Sequence, residues 1–261
     1  EGTFQISTTK LFSEKMKLKG KIIANSLLLC QYLTILLIIL GLARPQIIDS
    51  IQETNVDVVD IVLVMDISSS MLATDFSPNR LEAVKKTAKN FINARESDRI
   101  GVLVFAGESF IQCPLTIDKE VLLSLMDDIQ VAEQSYDGTA IGMAIANATN
   151  RLRNSDAKSK VMILLSDGSN NAGELDPLTS ADLASNFGIK IYTIGAGTNQ
   201  DVSFIPGRGY IRNEIDEKTL KSIAKRTNAK YFRATNVAGL EEVYKTIDRL
   251  ERTEIEVKEF T

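Results

Sequence analysis

Two carboxylates and three hydroxyls in this chain fall where they could hold one hard cation. Asp66, Ser68 and Ser70 alternate in the stretch Asp66-Ile67-Ser68-Ser69-Ser70, Thr139 stands in Tyr136-Asp137-Gly138-Thr139, and Asp167 stands in Ser166-Asp167-Gly168. Oxygen donors of this kind suit Mg2+, Mn2+ or Ca2+ and match a soft metal poorly. Each segment also has an ordinary structural reading. An aspartate in a serine-rich turn after a strand commonly caps the next helix, and a threonine at a helix start does the same. The cation reading rests on the three pieces arriving in order, each at the end of a suitable element.

Two apolar runs must position the acids. Val58, Val59, Ile61, Val62, Leu63, Val64 and Met65 lead into Asp66, while Val161, Met162, Ile163, Leu164 and Leu165 lead into Ser166 and Asp167. Runs this continuous predict strands buried on both faces, hence a parallel sheet covered by helices. Thr139 opens a helix carrying Ile141, Ile145, Ala148 and Leu152.

The remaining elements alternate. Ser77-Pro78 starts a helix with proline in its first turn and Leu81, Val84, Ala88, Phe91 and Ile92 at helical spacing. Strands are expected at 99–105 and, past a turn at Ala106-Gly107, along an edge at 109–115. Asp118 begins a helix, Asp176-Pro177 begins one that stops at Gly188, and a strand follows at 190–195. Asp216 caps a further helix, 231–234 forms a short strand, and Leu240, Val243, Tyr244, Ile247 and Leu250 mark a last helix. This order predicts an α/β fold, a doubly wound and mostly parallel sheet flanked by helices. Such sheets bind ligands beyond the carboxyl ends of their strands, near the switch in strand order, where Asp66 and Asp167 are expected. The stretch 196–215 reads as a long loop on that face, either a solvated excursion or a specificity loop beside the ion.

At the amino-terminal side, residues 22–43 contain no charged side chain. At 1.5 Å per residue such a segment spans roughly 33 Å, enough for the hydrocarbon core of a bilayer, and predicts a transmembrane helix. A buried core helix and a cleaved signal peptide are the competing readings. Lys10, Lys15, Lys17, Lys19 and Lys21 precede the segment, whereas Asp49, Glu53, Asp57 and Asp60 follow Arg44. The positive-inside rule then puts residues 1–21 in the cytoplasm and the globular part outside it, in the periplasm of a bacterium. The net charge of −4 and the lack of a basic stripe argue against nucleic acid as a partner. Cys30 falls in the apolar segment and Cys113 at the end of a strand, so no disulfide framework is expected.

The pattern Asp66-x-Ser68-x-Ser70, then Thr139, then Asp167 resembles the metal-ion-dependent adhesion site of von Willebrand factor type A (VWA) domains. The resemblance implies that the serines and threonine contact Mg2+, with Mn2+ or Ca2+ as substitutes. The aspartates would bind the ion directly or through water, and a partner's Asp or Glu would complete the octahedron. Gly41-Leu42-Ala43-Arg44-Pro45-Gln46, Pro78-Asn79-Arg80-Leu81-Glu82, Asp137-Gly138-Thr139-Ala140-Ile141-Gly142 and Leu250-Glu251-Arg252-Thr253-Glu254 further resemble the BatA family of bacterial membrane proteins from aerotolerance operons. That likeness implies a non-enzymatic scaffold working with sister VWA proteins and, functionally, a MoxR-type AAA+ ATPase. It also implies one membrane segment before the basic stretch, another after the domain, and an inner-membrane location. The expected organisation is a basic segment at 1–21, a transmembrane helix at 22–43, a linker at 44–55, a VWA domain at 56–251 and a tail at 252–261 leading toward a second membrane segment.

Two other functions compete with a cation-dependent protein-binding module. An Mg2+-dependent phosphoryl-transfer or hydrolytic enzyme could also place aspartates at strand ends. The chain has no histidine, which excludes histidine-based triads and relays, and Ile67 and Ser68 follow Asp66 where one phosphatase group carries a second acid. A fold whose ion site is purely structural is the other alternative.

Overall fold

The computed structural model describes residues 14–42, 58–95, 97–167, 170–198, 202–212 and 215–259. The expected linker, Ala43 and Gly168 lie outside the described residues. The chain divides into two compact units, Glu1–Thr54 and Asn55–Thr261.

The first unit contains one helix, α1, Glu14–Leu42. Its stretch Leu18–Ile39 is long and apolar enough to cross a membrane, and none of it is buried. A core helix would cover at least one face with protein. Leu29, Tyr32 and Leu36 are instead all exposed within this unit.

In the second unit a six-stranded sheet runs β3-β2-β1-β4-β5-β8. Its strands are β1 Val59–Asp66, β2 Arg99–Phe105, β3 Ser109–Thr116, β4 Ser159–Ser166, β5 Ile189–Ala196 and β8 Tyr231–Ala234, and the edge strand β3 is antiparallel to β2. All the other pairings are parallel. Successive side chains of β1 feed opposite faces. Ile61, Leu63 and Met65 pack with α2 (Arg80–Asn93), α3 (Lys119–Asp127) and α7 (Val237–Glu259), through Leu81, Val84, Leu122, Met126, Leu240 and Ile247. Val62 and Val64 pack with α4 (Ile141–Leu152), α5 (Pro177–Asn186) and α6 (Glu217–Arg226), through Ile141, Ile145, Leu152, Ala181, Leu220 and Ile223. Burial on both faces is why the strand sequence is an unbroken apolar run rather than an alternation.

Most boundaries follow the sequence, and four differ. Helix α2 begins at Arg80, not at Pro78. Asn79 is extended, and its side chain accepts a hydrogen bond from Glu82 N–H at 2.8 Å, so Asn79 is the cap and Pro78 lies outside the helix. Thr139 does not open α4, which starts at Ile141 behind an N-cap position filled by Ala140. The stretch 196–215 is not a plain loop, because β6 (Val202–Ile205) and β7 (Gly209–Arg212) form an antiparallel hairpin within it. Finally, α7 continues through the expected tail to Glu259.

Candidate metal centre

β1 ends at Asp66 and the chain turns at once. Ser68 N–H donates to Asp66 Oδ1 at 2.9 Å, and a short 3-10 turn follows at Ser69–Leu72. The turn brings Ser68 Oγ and Ser70 Oγ to 2.9 Å, within one hydrogen bond. Ser70 Oγ donates onward to Asp167 Oδ1 at 2.8 Å. Parallel pairing of β1 with β4 sets Ser166 beside Asp66, and its hydroxyl donates to Asp66 Oδ2 at 2.7 Å. Asp66, Ser68, Ser70 and Asp167 therefore form one connected cluster at the carboxyl ends of β1 and β4, where the strand order switches.

Thr139 reaches this neighbourhood from another segment. Asp137 Oδ1 accepts from Ser69 N–H at 2.9 Å and from Gly138 N–H at 3.1 Å, tying the segment to the serine turn. Gly138 has φ +133°, a backbone conformation open to glycine and strained for other residues. Asn171 then clamps Thr139, its Oδ1 accepting from Thr139 N–H at 2.8 Å and its N–H donating to Thr139 O at 3.1 Å. Thr139 is buried, yet its side chain does not cap α4. Standing two residues before the first helical position, it is too far upstream, and Asn170 Oδ1 accepts from Gly142 N–H at 3.4 Å instead. The hydroxyl is left uncommitted to the helix.

The electrostatics depend on residues that sequence reasoning did not assign. Asp66 is fully buried, which pushes its carboxyl up to about 7; the charge of Asp167 adds to the rise, while hydrogen bonds from Ser68 and Ser166 oppose it. Arg80, only 2% exposed, points its Nε and Nη2 at the two oxygens of Asp75, both at 2.7 Å. Its Nη1 pairs with Asp167 Oδ2. Burial alone would raise Asp75, but the bonds from Arg80 and Thr198 N–H hold it below the usual carboxylate range. Arg208, at the tip of the β6–β7 hairpin, donates from Nη1 to Ser69 Oγ at 2.6 Å and to Asp137 Oδ2 at 3.0 Å. The Pro206-Gly207 pair was the readable sign of this hairpin. Proline and a glycine at φ +81° occupy the centre of a turn closed by Arg208 N–H to Ile205 O at 3.1 Å. No comparable sign marks Arg80, whose burial arises only in three dimensions.

Among the described residues no group of three or more His, Cys, Asp or Glu forms a ligand set, so a cation at this cluster would depend on hydroxyl donors beside two carboxylates. That donor set fits a hard divalent ion.

Comparison with known proteins identifies the fold's relatives. A relative from Borreliella burgdorferi, described as an uncharacterized protein, is 30% identical over 235 residues, covering 87% of this chain and 69% of its own length. Further relatives are described as UPF0353 proteins, and the chain spans 59 to 69% of the length of these first curated relatives. The crystal structure of the conserved hypothetical protein BatB from Bacteroides thetaiotaomicron shares 28% identity at a TM-score of 0.67, covering 74% of this chain and 99% of that one. An aerotolerance-related membrane protein from Bacteroides fragilis shares 30% identity at a TM-score of 0.65, covering 73% and 97%. The family model for the von Willebrand factor type A domain matches residues 60–246, and the chain belongs to that family.

Proposed function

We propose that this chain is a membrane-anchored, non-enzymatic module that binds a protein partner through a divalent cation held by Asp66, Ser68, Ser70, Thr139 and Asp167. Mg2+ is the ion favoured by the donors, with Mn2+ or Ca2+ able to replace it. The ion supplies a Lewis-acidic position for a carboxylate of the partner.

One observation carries this reading: the charge balance around the converged oxygens. Four carboxylates, Asp66, Asp75, Asp137 and Asp167, face two guanidiniums, Arg80 and Arg208, leaving a formal charge of −2 in a largely buried network. A divalent cation offsets that charge. It also stabilises the ionised form of Asp66, which burial first and the charge of Asp167 second disfavour. Arg80 takes Asp167 Oδ2 and leaves Oδ1 on the side of the serines. With only two carboxylates among the ligands, the ion keeps an appetite for a third from outside.

The membrane part of the proposal rests on α1, and the inner-membrane, periplasm-facing orientation rests on the lysines before it. Sister VWA proteins and, through function rather than contact, a MoxR-type ATPase belong to the proposal through the resemblance of the sequence to the BatA family.

Calorimetric titration of Mg2+ and Mn2+ into the detergent-solubilised chain, beside Asp66→Ala, tests the ion site. Heat of binding in the native chain and none in the variant is the expected result. Native-like ion binding by the variant would refute the assignment. Hydrolysis of phosphate esters by the Mg2+-loaded protein would favour the enzyme reading instead.

A further inference from the structure

The β6–β7 hairpin is attached to the metal centre at three points. Thr74 N–H donates to Phe204 O at 3.1 Å, Arg80 Nη2 donates to Ser203 Oγ at 3.3 Å, and Arg208 bridges Ser69 and Asp137. Ser69 lies between the two serines of the cluster, so the hairpin tip is seated on the rim of the ion position. The side chains of β6 alternate: Ser203 and Ile205 are buried, whereas Val202 and Phe204 face outward. Phe204 pairs across the hairpin with Tyr210, their ring centroids 5.4 Å apart at 63°. Phe204 is 44% exposed and Tyr210 is 77% exposed. An edge-to-face aromatic pair fixed to a hydrogen-bonded scaffold and left in solvent is costly unless a surface covers it.

Charge adds a second observation. The Arg208 side chain is 41% exposed, and both of its contacts leave from Nη1. The rim thus presents a guanidinium between the cation position and the aromatic pair. A matching ligand carries negative charge for the ion and for Arg208, and a large apolar group beside that charge.

We propose that Phe204 and Tyr210 form the specificity platform of this site, and that the partner is an acidic protein segment. In that segment the Asp or Glu that reaches the ion is flanked by an aromatic or large aliphatic side chain that covers the platform. The proposal rests on the cation reading above and adds the selection of what accompanies the carboxylate. Arg208 orients the approaching acid, and the rings discriminate among segments that all carry one.

The test uses the full chain in detergent with excess Mg2+ and three cyclic hexapeptides: one with Asp flanked by Phe, one with Asp flanked by Ala, and one with Asn flanked by Phe. The Asp-Phe peptide is expected to bind about tenfold tighter than Asp-Ala, the scale of covering one aromatic side chain. The Phe204→Ser, Tyr210→Ser double variant is expected to reduce that ratio to within about twofold. Its Asp-Ala affinity and its Mg2+-induced rise in Tm should match wild type, which establishes that the variant folds. An Asp-Phe preference that survives in the double variant overturns the platform, as does Asp-dependent binding with no preference at all. Equal binding of the Asn and Asp peptides, or binding unaffected by EDTA, overturns the cation reading itself and the platform with it. An Mg2+-dependent dimer that sediments in wild type and is lost in the double variant overturns the choice of occupant and gives the face to a second copy of the chain.

Discussion

Asp66 and Asp167 share one site, joined through the hydroxyls of Ser68 and Ser70, and among the described residues Asp66 forms no ion pair with a guanidinium. Its carboxyl ionises near 3.8 in an ordinary setting and near 7 here. Between those values the folded protein holds a proton that the unfolded chain has released. The stability this group contributes is therefore fully present below about pH 4 and lost as the pH rises through 7. Asp66→Asn removes the titration. In EDTA the variant is expected to melt above wild type at neutral pH, with the gap closing toward pH 4, while Mg2+ raises the Tm of wild type alone. Scanning calorimetry across that range checks the sign, and a variant less stable at neutral pH contradicts it. Arg80 gives the opposite case, since it is buried between Asp75 and Asp167. Arg80→Met strands two carboxylates in low dielectric and is expected to cost about 3–5 kcal/mol in urea unfolding. Arg80→Lys should recover only part of this, because an ammonium cannot form the fork that spans Asp75. A loss below about 1 kcal/mol for Arg80→Met would show that water reaches these acids.

At the scale of elements, what was legible followed from periodicity and caps. The runs into Asp66 and Asp167 specified buried parallel strands, and Asp118, Asp176 and Asp216 cap α3, α5 and α6 as their positions indicate. The hairpin within 196–215 escaped because its strands are only four residues each, too short for alternation to stand out. A loop of that length inside a compact domain was itself a sign of hidden structure. That Thr139 does not cap α4 was illegible for a different reason, because a threonine before a helix looks the same whether it caps or not, and only the placement of Asn170 and Asn171 decides. The anchoring of α7 was equally illegible. Glu251 is buried and accepts from Ser159 Oγ at 2.6 Å, Tyr192 OH at 2.6 Å and Lys190 Nζ at 2.9 Å, fastening the helix to β4 and β5. Glu251→Ala removes the buried acceptor these three side chains share and is expected to cost about 3 kcal/mol. Hydrogen exchange should show the loss of protection concentrated in 240–252. Cation affinity should stay within about twofold, because the contact lies at the amino-terminal ends of the strands, away from the site. Exchange rising uniformly across the sheet would mean that α7 is no separate unit of stability.

For the whole molecule, strand direction sets polarity. The parallel strands send Asp66 and Asp167 to one pole, while Val59, Ser159 and the Glu251 contact mark the other. β1 thus begins, and the Glu251 contact lies, at the pole opposite the proposed cation site. Which compartment the face meets depends on charge outside the domain. Five lysines precede the apolar stretch and carboxylates dominate after it, and the orientation proposed above, with the lysine side in the cytoplasm, rests on that asymmetry. This topology is open to direct test in bacterial spheroplasts expressing the chain with Cys30→Ser and Ser185→Cys. Ser185 is exposed on α5, and the remaining native thiol, Cys113, is buried. A membrane-impermeant maleimide is expected to label the new cysteine in intact spheroplasts as fully as in lysed ones, with Cys113 unreactive in both. Labelling only after lysis would place the domain in the cytoplasm. It would also assign the lysines before α1 to the outer side, against the charge rule.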